Sequence, residues 1–262
     1  MLSSLINLRE DLKSSIALRF ADRLALLTDM VLRPVYVDEA SDKFQSGTGW
    51  VRRSWLRGIE ESGRDEIARL LKTEKVKCRL MSPIVIVGDP EKELLYFLNV
   101  EEYSLYIEGY LNVTNRDEFK RRVTSKLYTE SPCPVLMVKN ITSPSDILLL
   151  IDESTRPERI IFRLFTIFGK VKQSLDITVV KYIYKEQDGI SFGGIQDEDR
   201  QTMELLENSG YSGAEFLVVK GPPEQFAEYI KDHGLVVAEL PVRHTPRMEI
   251  LAMASNPIML CR

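Results

Sequence analysis

The chain is poor in the residues that build metal and redox sites. It holds three cysteines, Cys78, Cys133 and Cys261, and two histidines, His233 and His244, in 262 residues. The cysteines are scattered and odd in number, so neither a disulfide framework nor a zinc-ligand spacing can be assembled. Free thiols of this kind fit a reducing compartment, and the expected localisation is cytoplasmic. No apolar run approaches the ~18 residues of a membrane span, so no membrane contact is expected. The N-terminus, Met1 to Asp11, has neither a basic start nor a long apolar stretch and does not read as a secretory signal. Basic excess is also missing: 35 Lys and Arg stand against 39 Asp and Glu, a net charge of −4. A general nucleic-acid binder shows the opposite field, so no nucleic-acid partner is expected.

What is present is a repeat. Residues 84–90 run Ile-Val-Ile-Val-Gly-Asp-Pro, and residues 216–222 run Phe-Leu-Val-Val-Lys-Gly-Pro. Each is a β-branched run, then Gly, then Pro, then helical spacing. A second pair follows: Ser131-Pro132-Cys133-Pro134-Val-Leu-Met-Val138 and Ser255-Asn256-Pro257-Ile-Met-Leu-Cys261. A repeat of this length predicts two copies of one domain, over 1–140 and 146–262, with Ile141–Ser145 as linker.

Periodicity fills in the elements. Leu8, Leu12, Ile16, Phe20, Leu24 and Leu27 predict one helix face. Met30–Val37 predicts a strand in which Pro34 marks a bulge or a lightly paired position, and polar Ser41–Gly49 a loop. A helix from Trp50 places Trp55, Ile59, Ile67 and Leu71 on one side. Ile84–Val87 reads as a strand covered on both faces, Tyr103–Ile107 as the next, and Asn115 with Glu118 as a helix cap. In the second copy the expected order is strand Ile147–Ile151, helix Pro157–Val171, strand Ile177–Tyr184, a loop with Gly189, Gly193 and Gly194, and helix Asp197–Asn208. Strand Phe216–Val219, helix Pro223–His233 and strands Leu235–Leu240 and Ile258–Cys261 follow. Strands alternating with helices predict parallel, doubly wound α/β sheets. The second copy is about ten residues shorter before its last strand.

In this order the motifs resemble the universal stress protein family. Ser131–Val138 is similar to its final strand, Gly88-Asp89-Pro90 to the turn after its third strand, and Asp146–Ser154 to its opening strand. The resemblance covers nearly the whole chain as two tandem domains. It implies two flavodoxin-like domains of the adenine nucleotide alpha hydrolase type, paired through their final strands, here within one chain over 134–138 and 257–261. A homodimer and an unidentified protein partner are further expectations. Members that bind ATP use an acid at the end of the first strand and a loop Gly-x2-Gly-x9-Gly-Ser/Thr after the fourth, whose bare amides meet the phosphates.

Neither copy matches that loop. In the first, Gly109 survives, Leu111 falls at the second glycine, and Arg121-Arg122 fall at the Gly-Ser, followed by Thr124 and Ser125; Asn7 or Arg9 lies near the acid's place. Bulky side chains block main-chain approach, which leaves phosphate binding by arginine side chains or a solvated basic helix face. In the second copy Asp152 and Ser154 are present, as nucleotide contacts or as caps of the helix near Pro157, but no glycine follows Gly234. Arg243, His244 and Arg247 form either a small anion site or a surface turn. Gly47-Thr48-Gly49 lacks the Lys of a nucleotide-binding loop. Trp50, Arg52, Arg53, Trp55 and Arg57 suit RNA stacking less than an amphipathic helix burying its tryptophans. Cys133 lacks a nearby base. The expectation is a non-catalytic regulatory or stress-associated protein with a degenerate ATP site and no required cofactor. The alternative is a module binding ATP or AMP, or a weak ATPase.

Overall fold

The structure, a computed structural model, describes residues 2–39, 49–111, 115–241 and 244–262. Most of the Ser41–Gly49 loop, Asn112 and Arg243 lie outside them. The first half runs β1 (Ser3–Asn7), α1 (Leu12–Thr28), β2 (Val31–Asp38), α2 (Trp50–Glu74), β3 (Ile84–Val87), α3 (Pro90–Val100), β4 (Leu105–Gly109), α4 (Arg116–Val123), α5 (Lys126–Thr129) and β5 (Val135–Val138). The second runs β6 (Asp146–Ile151), α6 (Pro157–Phe168), β7 (Asp176–Tyr184), β8 (Ser191–Gly193), α7 (Asp197–Asn208), β9 (Glu215–Gly221), α8 (Pro223–Tyr229), β10 (Leu235–Glu239), α9 (Pro246–Met253) and β11 (Ile258–Cys261).

Among the described residues eleven strands join one sheet in the order β3-β2-β1-β4-β5-β11-β10-β6-β7-β9-β8. Within each half the long strands are parallel, and the halves meet where β5 and β11 run antiparallel, Met137 opposite Ile258 and Val135 opposite Leu260. This is a doubly wound α/β fold of two tandem flavodoxin-like units. Alternation along the strands sends side chains to two cores. In β6, Leu148 and Leu150 face one layer of helices, while Ile147, Leu149 and Ile151 face the other.

The Gly-Pro punctuation turns strands into helices. Asp89 caps α3 by accepting from the amides of Glu91 and Lys92, both at 3.1 Å, and Pro90 takes the first helical position, where its missing N–H costs nothing. Asn115 caps α4 through the Glu118 amide at 3.0 Å.

Several expectations change. Leu8 precedes α1 and Leu12 is 67% exposed, whereas Phe20 and Leu24 are buried as expected and are joined on the buried face by Ala17 and Ala21. Strand β3 is a sheet edge with only Ile86 buried. Pro34 causes no bulge: it faces Ile6 in unbroken register with β1, and pairing with β3 begins only at Val35. Trp50 is exposed and Trp55 half-buried. A short strand, β8, forms in the Gly-rich loop and pairs antiparallel with β9. Helix α9 occupies the shortened stretch before the last strand, with Thr245 accepting from the Met248 amide at 3.3 Å. Among the described residues no helix is long and apolar enough to cross a membrane.

Candidate functional site

In each half the first and fourth parallel strands, β1 with β4 and β6 with β10, lie side by side, and chain order reverses between them. The crevice beyond the carboxyl ends of such strands is where a doubly wound sheet receives ligands.

In the first half the protein's own side chains occupy that region. Glu108, one residue from the end of β4, is 4% exposed. Arg122, from the last turn of α4, donates to it through Nε at 2.8 Å and through a second bond from Nη2. The Tyr106 hydroxyl donates at 2.9 Å, and the Tyr128 hydroxyl donates to the other carboxylate oxygen. The Arg122 guanidinium also lies 5.8 Å from the Tyr128 ring centroid. Burial works to raise the Glu108 carboxyl, but the Arg122 charge and three hydrogen-bonding partners outweigh it and hold the group below its ordinary value. The Glu108 charge in turn holds Arg122 above its ordinary range. Burial, then the Glu108 charge, keeps both phenols protonated and donating.

The predicted site residues of this half are therefore not a phosphate cradle. Arg122 is consumed by Glu108. Gly109 is required by packing, because a Cβ there would stand 2.1 Å from the Lys13 carbonyl oxygen where β4 passes under α1. The Thr124 hydroxyl donates to the Lys120 carbonyl at 2.8 Å. The Ser125 hydroxyl is buried and without a partner. Arg121 alone of the pair points outward and is exposed. Lys120 reaches across the seam to Glu249 at 2.6 Å. Asn7 ends β1 with its side-chain carbonyl buried and unpartnered, where an acid was sought.

The second half is more open. Asp152 follows β6 and its Oδ1 accepts from the Ser154 amide at 2.9 Å, the Ser154 hydroxyl at 2.7 Å and the Thr155 hydroxyl at 2.9 Å. It fixes the turn after the strand rather than capping α6, whose cap position is Arg156 with no side-chain bond. Arg247, 5% exposed on α9, donates through Nη1 to Asp152 at 3.1 Å and also bonds Thr155. Beside them lies a pocket of about 270 Å³ lined by Asp152, Ser154, Tyr182, Tyr184 and Pro246. Thr245 also lines two further clefts at the same end of the sheet.

The sequence reading missed Glu108, Tyr106, Tyr128 and the pairing of Asp152 with Arg247. One signal was available: a carboxylate inside an otherwise apolar strand, Leu-Tyr-Ile-Glu-Gly. The cysteines are poor nucleophiles, since burial pushes the thiols up to about 11 at Cys133 and about 12 at Cys261. Among the described residues no group of three His, Cys, Asp or Glu could hold a metal ion.

No family model matches the sequence, and no curated protein matches it. Solved structures do match. A universal stress protein from Archaeoglobus fulgidus DSM 4304 superposes with a TM-score of 0.66 at 13% identity, over 99% of this chain and 96% of that one. A candidate universal stress protein from Pseudomonas aeruginosa UCBPP-PA14 gives 0.56 at 15% identity, over 98% and 92%. What is shared at these identities is the fold, along essentially the whole of each chain: the protein has the architecture of the two-unit universal stress proteins.

Proposed function

We propose that this chain is a non-catalytic regulatory protein of the universal stress type, acting in the cytoplasm through its surfaces, in which the main-chain phosphate cradle has been lost from both halves. One observation supports this reading above the rest: the Glu108–Arg122 pair with its two tyrosines fills the first half's crevice, in a strand whose Gly109 is spoken for by Lys13. Closing a cradle with a bonded carboxylate and guanidinium removes the bare amides that a triphosphate needs. In the second half α9 follows β10 with no glycine in between.

The test is incubation of the purified protein with magnesium ATP, followed by assay for ADP and by melting. No ADP should form above the buffer rate, and ATP should raise the melting temperature no more than inorganic tripolyphosphate does. Turnover, or an ATP stabilisation exceeding that of tripolyphosphate by about 2.7 kcal/mol at a hundred times its Kd, would refute the reading. A second reading, an adenine-nucleotide-binding module, is favoured by the Asp152 pocket with Tyr182 and Tyr184. The same titration separates the two, because only a nucleotide module prefers ATP to the bare phosphate chain.

A further inference from the structure

Helix α2 carries its charges against its own dipole. Residues 50–59 hold Arg52, Arg53 and Arg57 with no acid, and residues 60–66 hold Glu60, Glu61, Asp65 and Glu66 with one arginine, Arg64. The two segments therefore carry +3 and −3. A helix favours acids in its first turn and bases in its last, yet α2 has no first-turn acid, and its cap, Gly49, makes no side-chain bond. Among the described residues nothing offsets this order: the side chains of Arg53, Arg57, Glu61, Arg64 and Asp65 make no ion pair, not even Arg57 with Glu61 one turn on.

The same helix presents an uncovered face. Trp50, Ser54, Arg57, Glu61, Arg64 and Ala68 are all exposed, Trp50 by 72%. They lie alternately four and three residues apart, the spacing of a seam along which two helices pack. Gly58 borders this seam near its middle. A Cβ there would meet nothing within 4 Å, so packing within one chain does not call for glycine, which weakens an exposed helix. Gly63 on the same helix differs, since its Cβ would stand 2.8 Å from the Tyr36 ring. A missing side chain at Gly58 lets a second helix approach closely, because interaxial distance follows the side chains at the contact.

We propose that α2 pairs antiparallel with α2 of a second copy of this chain, about a two-fold axis near Ile59. In such an isologous pair every contact occurs twice. Arg57 lies beside Glu61 of the second copy, Arg53 beside its Asp65, and Trp50 against its Ala68. The basic segment of each helix then runs along the acidic segment of the other and the dipoles oppose, so an order unfavourable in one chain becomes complementary in two. The occupant is a second copy because α2 itself supplies the matching charges at the matching spacing. Trp and Arg are also the residues that anchor protein interfaces. The overlap from Trp50 to Ala68 is about 27 Å long. A single helix pair is a small interface, so association in the micromolar range is expected. The inference goes beyond the proposed function and stands or falls separately from it.

The experiment is sedimentation of the full chain over a broad concentration range, at low and at high salt. The wild type should pass from monomer to dimer, and salt should weaken the dimer by screening its ion pairs. Arg57→Glu and Glu61→Arg each set like charges face to face at two contacts, and each alone should weaken self-association tenfold or more. Both positions are exposed, so each variant should melt as the wild type does. The two variants mixed should associate as tightly as the wild type, because every contact between positions 57 and 61 again joins opposite charges. A chain monomeric at every concentration, single variants that associate like the wild type, or a mixture no tighter than either variant alone would overturn the proposal. A monomer that instead sediments with phosphatidylserine vesicles would also overturn it, and would assign the basic half of α2 to a membrane surface.

Discussion

Replacing Arg122 by alanine separates a structural guanidinium from a phosphate-binding one. The substitution leaves Glu108 with two phenolic donors and no counter-charge, and the Glu108 side chain is only 5% exposed. Removing one member of a buried pair costs about 3–5 kcal/mol. The Arg122 side chain is itself 37% exposed, so solvent screening brings the figure to the lower end, about 3 kcal/mol. In a chain of this size that is a fall of roughly 6–12 °C in Tm. The pH dependence has a definite sign. In the wild type, Glu108 is held below its ordinary value, so the pair stabilises the fold at neutral pH and that contribution fades as pH falls through the depressed value. In the variant only the two phenols oppose burial, so the carboxyl rises, and its penalty is largest at neutral pH and is relieved by acid. The variant's effect narrows the gap between the proteins as pH drops from 8 to 5, and the wild type loses its own contribution only below the ordinary carboxylate value. Thermal melts across that range measure it, and Glu108→Gln/Arg122→Met should recover most of the loss, since a buried pair exchanged as a whole is often neutral. An Arg122→Ala protein melting within about 1 °C of wild type at every pH would refute the reasoning and free this arginine for a ligand.

Two other substitutions test the packing. Gly109→Ala places a methyl group 2.1 Å from the Lys13 carbonyl oxygen; overpacking of this kind costs about 1–3 kcal/mol, read by urea denaturation, and an unchanged midpoint would contradict the close approach of β4 to α1. Lys139, just past β5, is 4% exposed, donates to the carbonyls of Leu251 at 2.7 Å and Ala254 at 2.9 Å, and lies 4.7 Å from the Phe119 ring centroid, while burial pushes its amine down to about 7. A folded value below the unfolded one means that stability is lowest below about pH 7 and rises from there towards the ordinary lysine value, by at most about 1.4 kcal/mol per pH unit. Lys139→Met should lack that slope in melts from pH 7 to 10, and a constant offset from wild type would rule the titration out.

The order of elements was legible because Gly and Pro write turns directly into the sequence. Asp89 and Pro90 set the entry to α3 through bonds spanning two or three residues, and such local chemistry survives translation into a linear reading. Strand β8 was not legible, since three residues among glycines carry no period of two, and its pairing depends on β9 lying alongside. The site was less legible than the fold for the same reason. Arg122 counts as surface charge until Glu108, fourteen positions earlier, turns towards it, and Asp152 reads as a helix cap until Arg247, 95 positions later, arrives on α9.

The seam also constrains assembly. Strand β5 has β4 on one side and β11 on the other, and β11 is likewise flanked by β10 and β5. The main-chain edge through which two separate domains could join by their final strands is thus saturated within the chain. Breaking it would also detach the Lys139 amine from the end of α9 and Lys120 from Glu249. Among the described residues the free sheet edges at which a second copy of this chain can add are β3 and β8, of four and three residues. Edges that short offer few unpaired amides, so a homodimer of any strength has to be held by side chains on a helical face rather than by extending the sheet.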